Sequence, residues 1–417
     1  MRGHEEASGT KYYPEGLIET WGKVDPVDRL RAHLQASKIL DEATESEMAE
    51  RIKGKILAGL KAAAAEPSIE ASTPQELLDR FAAGTPQGSM EVPEAQGREL
   101  RFIDAITEGL RTSMEQHPNL VLMGQDIGSY GGVFKVTDGF VDAFGEERVR
   151  NTPLCESAIV GAGLGLSIAG KKAMVEMQFS DFVTCGFNQI VNNLAKIHWR
   201  WGQAADVVVR MPTGGGVGAG PYHSQSTEAW FFHVPGLKIA YPSTPGDAKG
   251  LLRMAIDDPN PVLFFEHKLL YRSLTGPVPE GDYLLEFGKG CVVREGSQAT
   301  LVTYGLGVHW ATTLMASHPD WDVEIIDLRT LLPWDEDLVM ASVRKTGKAL
   351  VLHEDTMTGG IGAEISSRIH ECCFQDLDAA VARTASLDTA FPFAEDLERN
   401  FMANARLEDD LRQLLQA

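Results

Sequence analysis

The sequence predicts an α/β protein in which two successive α/β domains follow a helical segment. Three observations carry that prediction. Short β-rich runs alternate with stretches of helical periodicity from about residue 99 onward. A turn-rich, apolar-poor stretch over residues 84–98 separates this pattern from a leading segment without a convincing strand. The chain also has 417 residues, 43% hydrophobic and 23% charged, which is the balance of a folded protein too long for one core.

The leading segment, residues 1–83, reads as helical and half-buried. Asp25-Pro26 is a cap followed by proline at the first helical position, with Val27, Leu30 and Leu34 recurring at helical spacing. Thr44 to Glu47 reads as a capping box, after which Met48, Ile52, Ile56 and Leu60 share one face until Pro67 stops the helix. So few large apolar residues predict a segment that packs on something else. Residues 84–98 are the expected linker. In the domain expected over 99–287, the strand candidates are 120–123, 173–179, 206–211, 238–241 and 262–265, with helices over 159–168, 182–199 and 248–256. In the domain expected over 288–417, they are 291–294, 300–304, 323–326 and 349–352. Alternation of this kind implies a largely parallel sheet.

Charge narrows the function. Lys plus Arg number 38 against 59 Asp plus Glu, a formal charge of −21 that opposes binding to nucleic acid or anionic lipid. The five cysteines (155, 185, 291, 372 and 373) are scattered and show no C-x-x-C spacing, which excludes the usual zinc motif and fits a reducing compartment. Without an apolar run of about 20 residues or a secretory start, the expectation is a cytoplasmic protein with no membrane segment.

Three places could hold chemistry. Thr152-Pro153-Leu154-Cys155-Glu156-Ser157 leads into a glycine-rich helix, where Glu156 on local features is a carboxylate favoured at a helix start. The stretch from Thr213 through Gly214, Gly215, Gly216, Gly218 and Gly220 to His223 and Gln225 follows a strand. It does not open directly into a helix as a dinucleotide loop would, yet it lies where parallel sheets place active residues. His353-Glu354-Asp355 closes a strand of the second domain and reads as a charged strand end at a subunit contact.

Taken in order, Gly124 to Gly128, Tyr130 to Phe134, Thr152-Pro153 to Glu156, Gly215 to Gln225, Pro235 to Lys238 and Asp247 to Leu251 resemble the β subunit of the decarboxylating component of 2-oxo acid dehydrogenase complexes. The resemblance runs from about Leu100 to the C-terminus. It implies a pyrimidine-binding transketolase-type domain, a transketolase C-terminal domain, and thiamine diphosphate as cofactor. On it, Glu156 matches the glutamate that hydrogen-bonds and shares a proton with the aminopyrimidine ring. Gln178 and Phe182 match residues that line and stack on that ring, and His223 matches a histidine near the substrate. Gln125 stands where the motif more usually has glutamate, a change expected to alter a local hydrogen bond. Arg2-Gly3-His4, with Lys11-Tyr12, Trp21, Asp25-Pro26 and Arg29-Leu30, resembles the end of the same component's α subunit, with His4 as its loop histidine. The Gly-Asp-Gly motif that holds Mg2+ and the diphosphate in the α subunit is not found, so the resemblance implies an α-type partner that supplies both. It also implies a lipoyl-bearing acyltransferase as a further partner, and a dimer or heterotetramer. The phrases Gly218 to Gln225 and Glu266-His267-Lys268 favour a branched-chain 2-oxo acid. Pyruvate or acetoin is the neighbouring alternative, and a non-catalytic assembly module the distant one.

Overall fold

The structure is a computed structural model that describes residue 9 and residues 11–417. It divides into two compact units, one ending at Ser72 and one spanning Thr73–Ala417. The expected catalytic residue His4 lies outside the described residues.

In the first unit, helix Pro26–Ala36 starts as anticipated, with the Asp25 carboxylate accepting from the Val27 amide at 2.9 Å. The long helix departs from expectation. It covers Glu42–Ala65, and its cap is Asp41, which accepts from Thr44 N at 2.7 Å, so Thr44 sits inside the first turn. Aspartate caps at least as well as threonine, and Asp41 holds the extended backbone that a cap requires. Glu66, the residue before Pro67, is extended, as proline imposes on its predecessor. Neither helix has a buried residue, and Met48, Ile52, Ile56 and Leu60 are 43–63% exposed, which corrects the expectation of a half-buried segment.

The strands of the second unit are, in chain order, β1 (Glu99–Arg101), β2 (Leu120–Gly124), β3 (Val149–Asn151), β4 (Lys172–Glu176), β5 (Val207–Thr213), β6 (Lys238–Ala240), β7 (Val262–His267), β8 (Thr275–Pro277), β9 (Cys291–Arg294), β10 (Ala299–Thr303), β11 (Val323–Asp327), β12 (Thr330–Leu332), β13 (Ala349–Thr356) and β14 (Ala382–Ser386). A seven-stranded sheet runs β12-β6-β7-β5-β4-β2-β3, and a five-stranded sheet β14-β13-β10-β11-β9. Every pairing in the larger sheet is parallel except β12 on β6, and in the smaller one every pairing except β9 on β11. Because alternate residues point to opposite faces, Val207, Val209 and Met211 of β5 join one core while Val208 joins another. The first of these cores also takes Val302, Ile326 and Val351, so both sheets share apolar packing. Strand β12 ties them further: it leaves the end of β11 and completes the larger sheet.

Residues 84–98, expected to be a linker, are strapped to the domain they precede. The amides of Gln87 and Gly88 donate to Asp257 Oδ2 at 2.8 and 3.1 Å, and Leu284 N donates to Ser89 O at 2.7 Å. The stretch expected as one helix over 182–199 is a 3-10 turn (Ser180–Phe182), an α-helix (Val183–Asn188), a π-helical turn (Gln189–Leu194) and another α-helix (Ile197–Trp201). Such interruptions re-aim side chains along a segment, and these follow directly on Phe182. Among the described residues no helix is long and apolar enough to cross a membrane.

Candidate active site

Strands β2, β4 and β5 are neighbours and parallel, so their carboxyl ends converge on one edge of the sheet. An open parallel sheet binds ligands at that edge, where the turns leave backbone and side chains free of the ladder. Gln125 and Asp126 follow β2, Gln178 and Phe179 follow β4, and the glycine-rich loop follows β5. Glu156 opens the helix Glu156–Ile168 after β3, with Cys155 as its N-cap residue. All four described site candidates, Glu156, Gln178, Phe182 and His223, therefore arise at the same edge.

Glu156 is 6% exposed, and its Oε1 accepts from Gln125 Nε2 at 3.0 Å. The departure at Gln125 thus has a consequence. An amide here donates to Glu156, whereas a glutamate would set a second carboxyl against it. Among the described residues only Oε1 of Glu156 has a partner, which leaves Oε2 available to another donor. Gln178 Nε2 donates to Asp126 Oδ2 at 2.9 Å, tying the end of β4 to the end of β2.

Aromatic packing brings His223 and Phe182 together. Their ring centroids are 5.4 Å apart, and Phe179 lies 4.8 Å from His223 and 5.7 Å from Phe182, all edge-on. Such an arrangement fixes three rings by their quadrupoles as well as by their area. The loop that carries His223 is held at both ends. At its far end, Gln225 donates from N and Nε2 to Asp181 Oδ1 at 3.2 and 2.8 Å. At its near end, Gly215 N donates to Glu354 Oε1 at 2.6 Å and Gly216 N to Glu398 Oε1 at 2.7 Å. This corrects the reading of residues 353–355 as a subunit contact. Glu354 is 7% exposed and serves the chain's own loop, because β13 ends against the glycines instead of at the surface.

A buried charged cluster lies on the strands that carry these loops. Arg210 on β5 donates to Glu266 on β7 at 2.6 and 2.7 Å and also pairs with Glu176 on β4, and all three side chains are at most 3% exposed. Burial alone would lower Arg210, but the two carboxylates outweigh it and its pKa is raised. Burial pushes Glu176 up despite the guanidinium. Beside the loop, burial brings Lys268 down to about 8, against the pull of Asp181 and Glu354. Its ammonium donates to Gly214 O at 2.6 Å.

Residues 98–273 match the family profile "Transketolase, pyrimidine binding domain", and residues 288–406 match "Transketolase, C-terminal domain". The 2-oxoisovalerate dehydrogenase subunit beta of Bacillus subtilis (strain 168) is 46% identical over 324 residues, which is 76% of this chain and 98% of that protein. The chain belongs to the β-subunit family of the 2-oxo acid dehydrogenases. Within that family, 2-oxoisovalerate dehydrogenase subunit beta 2 (mitochondrial) of Arabidopsis thaliana is 45% identical over 73% of this chain and 86% of its own length. The pyruvate dehydrogenase E1 component subunit beta of Bacillus subtilis (strain 168) is 41% identical over 71% of this chain and 93% of its own. A solved structure described as a split-gene transketolase, an inactive β4 tetramer, aligns with TM-score 0.59 at 21% identity over 76% of this chain and 98% of that one, a likeness of fold.

Sequence reasoning missed Phe179, Asp181, His267, Glu354 and Glu398 as parts of the site's frame. One signal was present: a charged triplet directly after the apolar run Ala349 to Leu352 must either reach solvent or find partners inside.

Proposed function

We propose that the chain is the β-type half of a thiamine-diphosphate-dependent 2-oxo acid dehydrogenase that oxidatively decarboxylates a branched-chain 2-oxo acid such as 2-oxoisovalerate and passes the acyl group to lipoyl. The observation that carries this reading is the buried Glu156 carboxylate, with one oxygen engaged by Gln125, on the same sheet edge as the Phe179–Phe182–His223 cluster. When bound, the cofactor supplies the carbon nucleophile and the electron sink for decarboxylation. Glu156, with one oxygen free of Gln125, would share a proton with the aminopyrimidine, and Phe182 with Gln178 would bound the ring. His223, held edge-on by two phenylalanines, delivers or removes a proton near the substrate.

The loops that follow β2, β3 and β5 expose Tyr130 (57%), Leu154 (79%), Val217 (45%) and Tyr222 (70%). An apolar rim of that kind marks a surface that associates. It supports completion of the site by an α-type subunit that supplies Mg2+ and the grip on the diphosphate, within an assembly that includes a lipoyl-bearing acyltransferase. The branched-chain assignment draws on the 46% and 45% identity to proteins named for 2-oxoisovalerate, against 41% to one named for pyruvate.

The test is turnover. The chain co-expressed with its α-type partner should release CO2 from 2-oxoisovalerate, with reduction of an artificial acceptor, faster than from pyruvate. Equal rates without either chain, or a preference for pyruvate, would overturn the reading or its substrate respectively.

A further inference from the structure

Gly214 is pressed against the end of β7, and Gly215 against the C-terminal domain, more closely than any side chain would allow. A Cβ at Gly214, where φ is +84°, would stand 2.1 Å from His267 Nε2, and one at Gly215 would stand 2.3 Å from Phe391. The loop's next fixed glycine, Gly220, meets Phe393 in the same way at 2.2 Å. Three residues later the chain reaches His223.

The contacts that hold this stretch converge on one carboxylate. Glu354 Oε1 accepts from Gly215 N at 2.6 Å, and Oε2 lies 2.6 Å from His267 Nε2. Leu269 N donates to His267 Nδ1 at 3.3 Å, so Nε2 carries the proton and donates to Glu354. Both groups facing Glu354 are therefore donors, and only a carboxylate offers an acceptor oxygen to each. Burial pushes the Glu354 acid up, but the His267 ring, the Gly215 amide and Lys268 outweigh burial and hold it below the ordinary glutamate value.

We propose that Glu354, seated by His267, is a positioning residue through which the C-terminal domain sets the backbone of the glycine-rich loop and thereby the place of the His223 ring. The inference rests on the proposed role of His223 in acyl transfer. It gives the second α/β domain a task in the reaction: β13 ends in a carboxylate that reaches across to the loop, and Glu398 repeats the contact one residue further on, at Gly216. Both oxygens of Glu354 are engaged, one by Gly215 N and one by His267 Nε2, so its influence is assigned to the loop.

The decisive variant is Glu354→Gln, which turns a donor toward one of two donors while keeping size and packing. In hydrogen exchange on the full chain, residues 214–225 should take up deuterium faster while β2, β4 and β10 stay protected. With the α-type partner, acyl transfer to lipoyl should fall roughly 10²-fold, the cost of about 1 Å of misplacement. The KM for the 2-oxo acid and the cofactor affinity should move less than about threefold, since no binding contact is removed. In a His223→Ala background, Glu354→Gln should cost nothing further, because both changes remove the same service. Additive losses, or an unchanged loop in Glu354→Gln, would overturn the clamp. Unchanged acyl transfer in His223→Ala alone would instead overturn the role of His223 on which it rests. Glu398→Ala, which strips Gly216 of its acceptor, should loosen the same residues and keeps the test open where Glu354→Gln lowers stability.

Discussion

Replacing Glu156 by glutamine separates the chemistry of the site from its architecture. The amide is isosteric, and its oxygen can still accept from Gln125 Nε2, the 3.0 Å bond that fixes the carboxylate. At most one modest hydrogen bond is at stake, about 1 kcal/mol, so the fold should hold and the melting temperature should move by only a few degrees. The other oxygen becomes an NH2 group, which cannot accept the proton that Glu156 is proposed to share with the aminopyrimidine. A positioned acid–base group is worth about 10²–10⁴-fold, or roughly 2.7–5.5 kcal/mol of barrier. The assay is CO2 release from 2-oxoisovalerate with the α-type partner and saturating cofactor, beside circular dichroism and a melting curve. The expected result is a turnover below one hundredth of wild type at unchanged fold. Turnover within about threefold of wild type, with the fold intact, would refute the assignment of Glu156, and an unfolded variant would refute the claim that Gln125 tolerates an amide.

Four further outcomes follow from particular contacts. His223→Ala should slow acyl transfer by about 10²-fold and change cofactor affinity little, since the ring packs on Phe179 and Phe182; isothermal calorimetry and a lipoyl-transfer assay read the two separately. Arg210→Met should lose about 3–5 kcal/mol and lower the melting temperature by roughly 5–15 °C, because Glu176 and Glu266 would stay buried without their cation. Glu228 lies fully buried against Tyr304 OH (2.7 Å), and burial, with Asp355 and Glu354 nearby, raises it from 4.5 to about 8. Its folded form therefore holds a proton that the unfolded chain has released, so stability falls from about pH 4.5 to about 8, and melting curves of Glu228→Gln should fall several degrees less than wild type between pH 5 and 9. Finally, the chain alone should bind thiamine diphosphate no better than millimolar, because a hydrogen bond and a stacking face are worth about 2–4 kcal/mol together; micromolar binding by calorimetry would reveal a diphosphate site in this chain.

The fold was legible where burial was complete. The expected strands 120–123, 262–265 and 323–326 lie within β2, β7 and β11, because strands covered on both faces are written as apolar runs, broken here only by Glu324. The strands β1, β3, β8, β12 and β14 were not read. Four of them have three residues each and carry too little apolar pattern to register, and β14, Ala382–Ser386, is an edge strand with few large apolar residues. The cap at Asp41 was misplaced for a related reason: two capping candidates three residues apart compete, and only backbone conformation decides between them. The described site candidates rest on motif resemblance, since Glu156 alone is indistinguishable from a helix-start carboxylate.

The frame around those residues was illegible because it is made by contacts distant in sequence. Glu354 and Gly215 are separated by 139 positions, and Glu398 and Gly216 by 182. Each glutamate alone predicts solvent, and each glycine alone predicts a turn. Only their meeting shows why the loop has so many glycines: Gly214, Gly215 and Gly220 each stand where a Cβ would enter the ring of His267, Phe391 or Phe393. Close approach, and not phosphate binding, explains the glycines at these three positions. A dinucleotide loop uses its glycines to bring backbone amides to a ligand, whereas here the amides of Gly215 and Gly216 are already taken by Glu354 and Glu398. The loop's free chemistry is thereby concentrated in what lies beyond the clamp, and His223 is the titratable side chain it presents to the sheet edge beside Phe182.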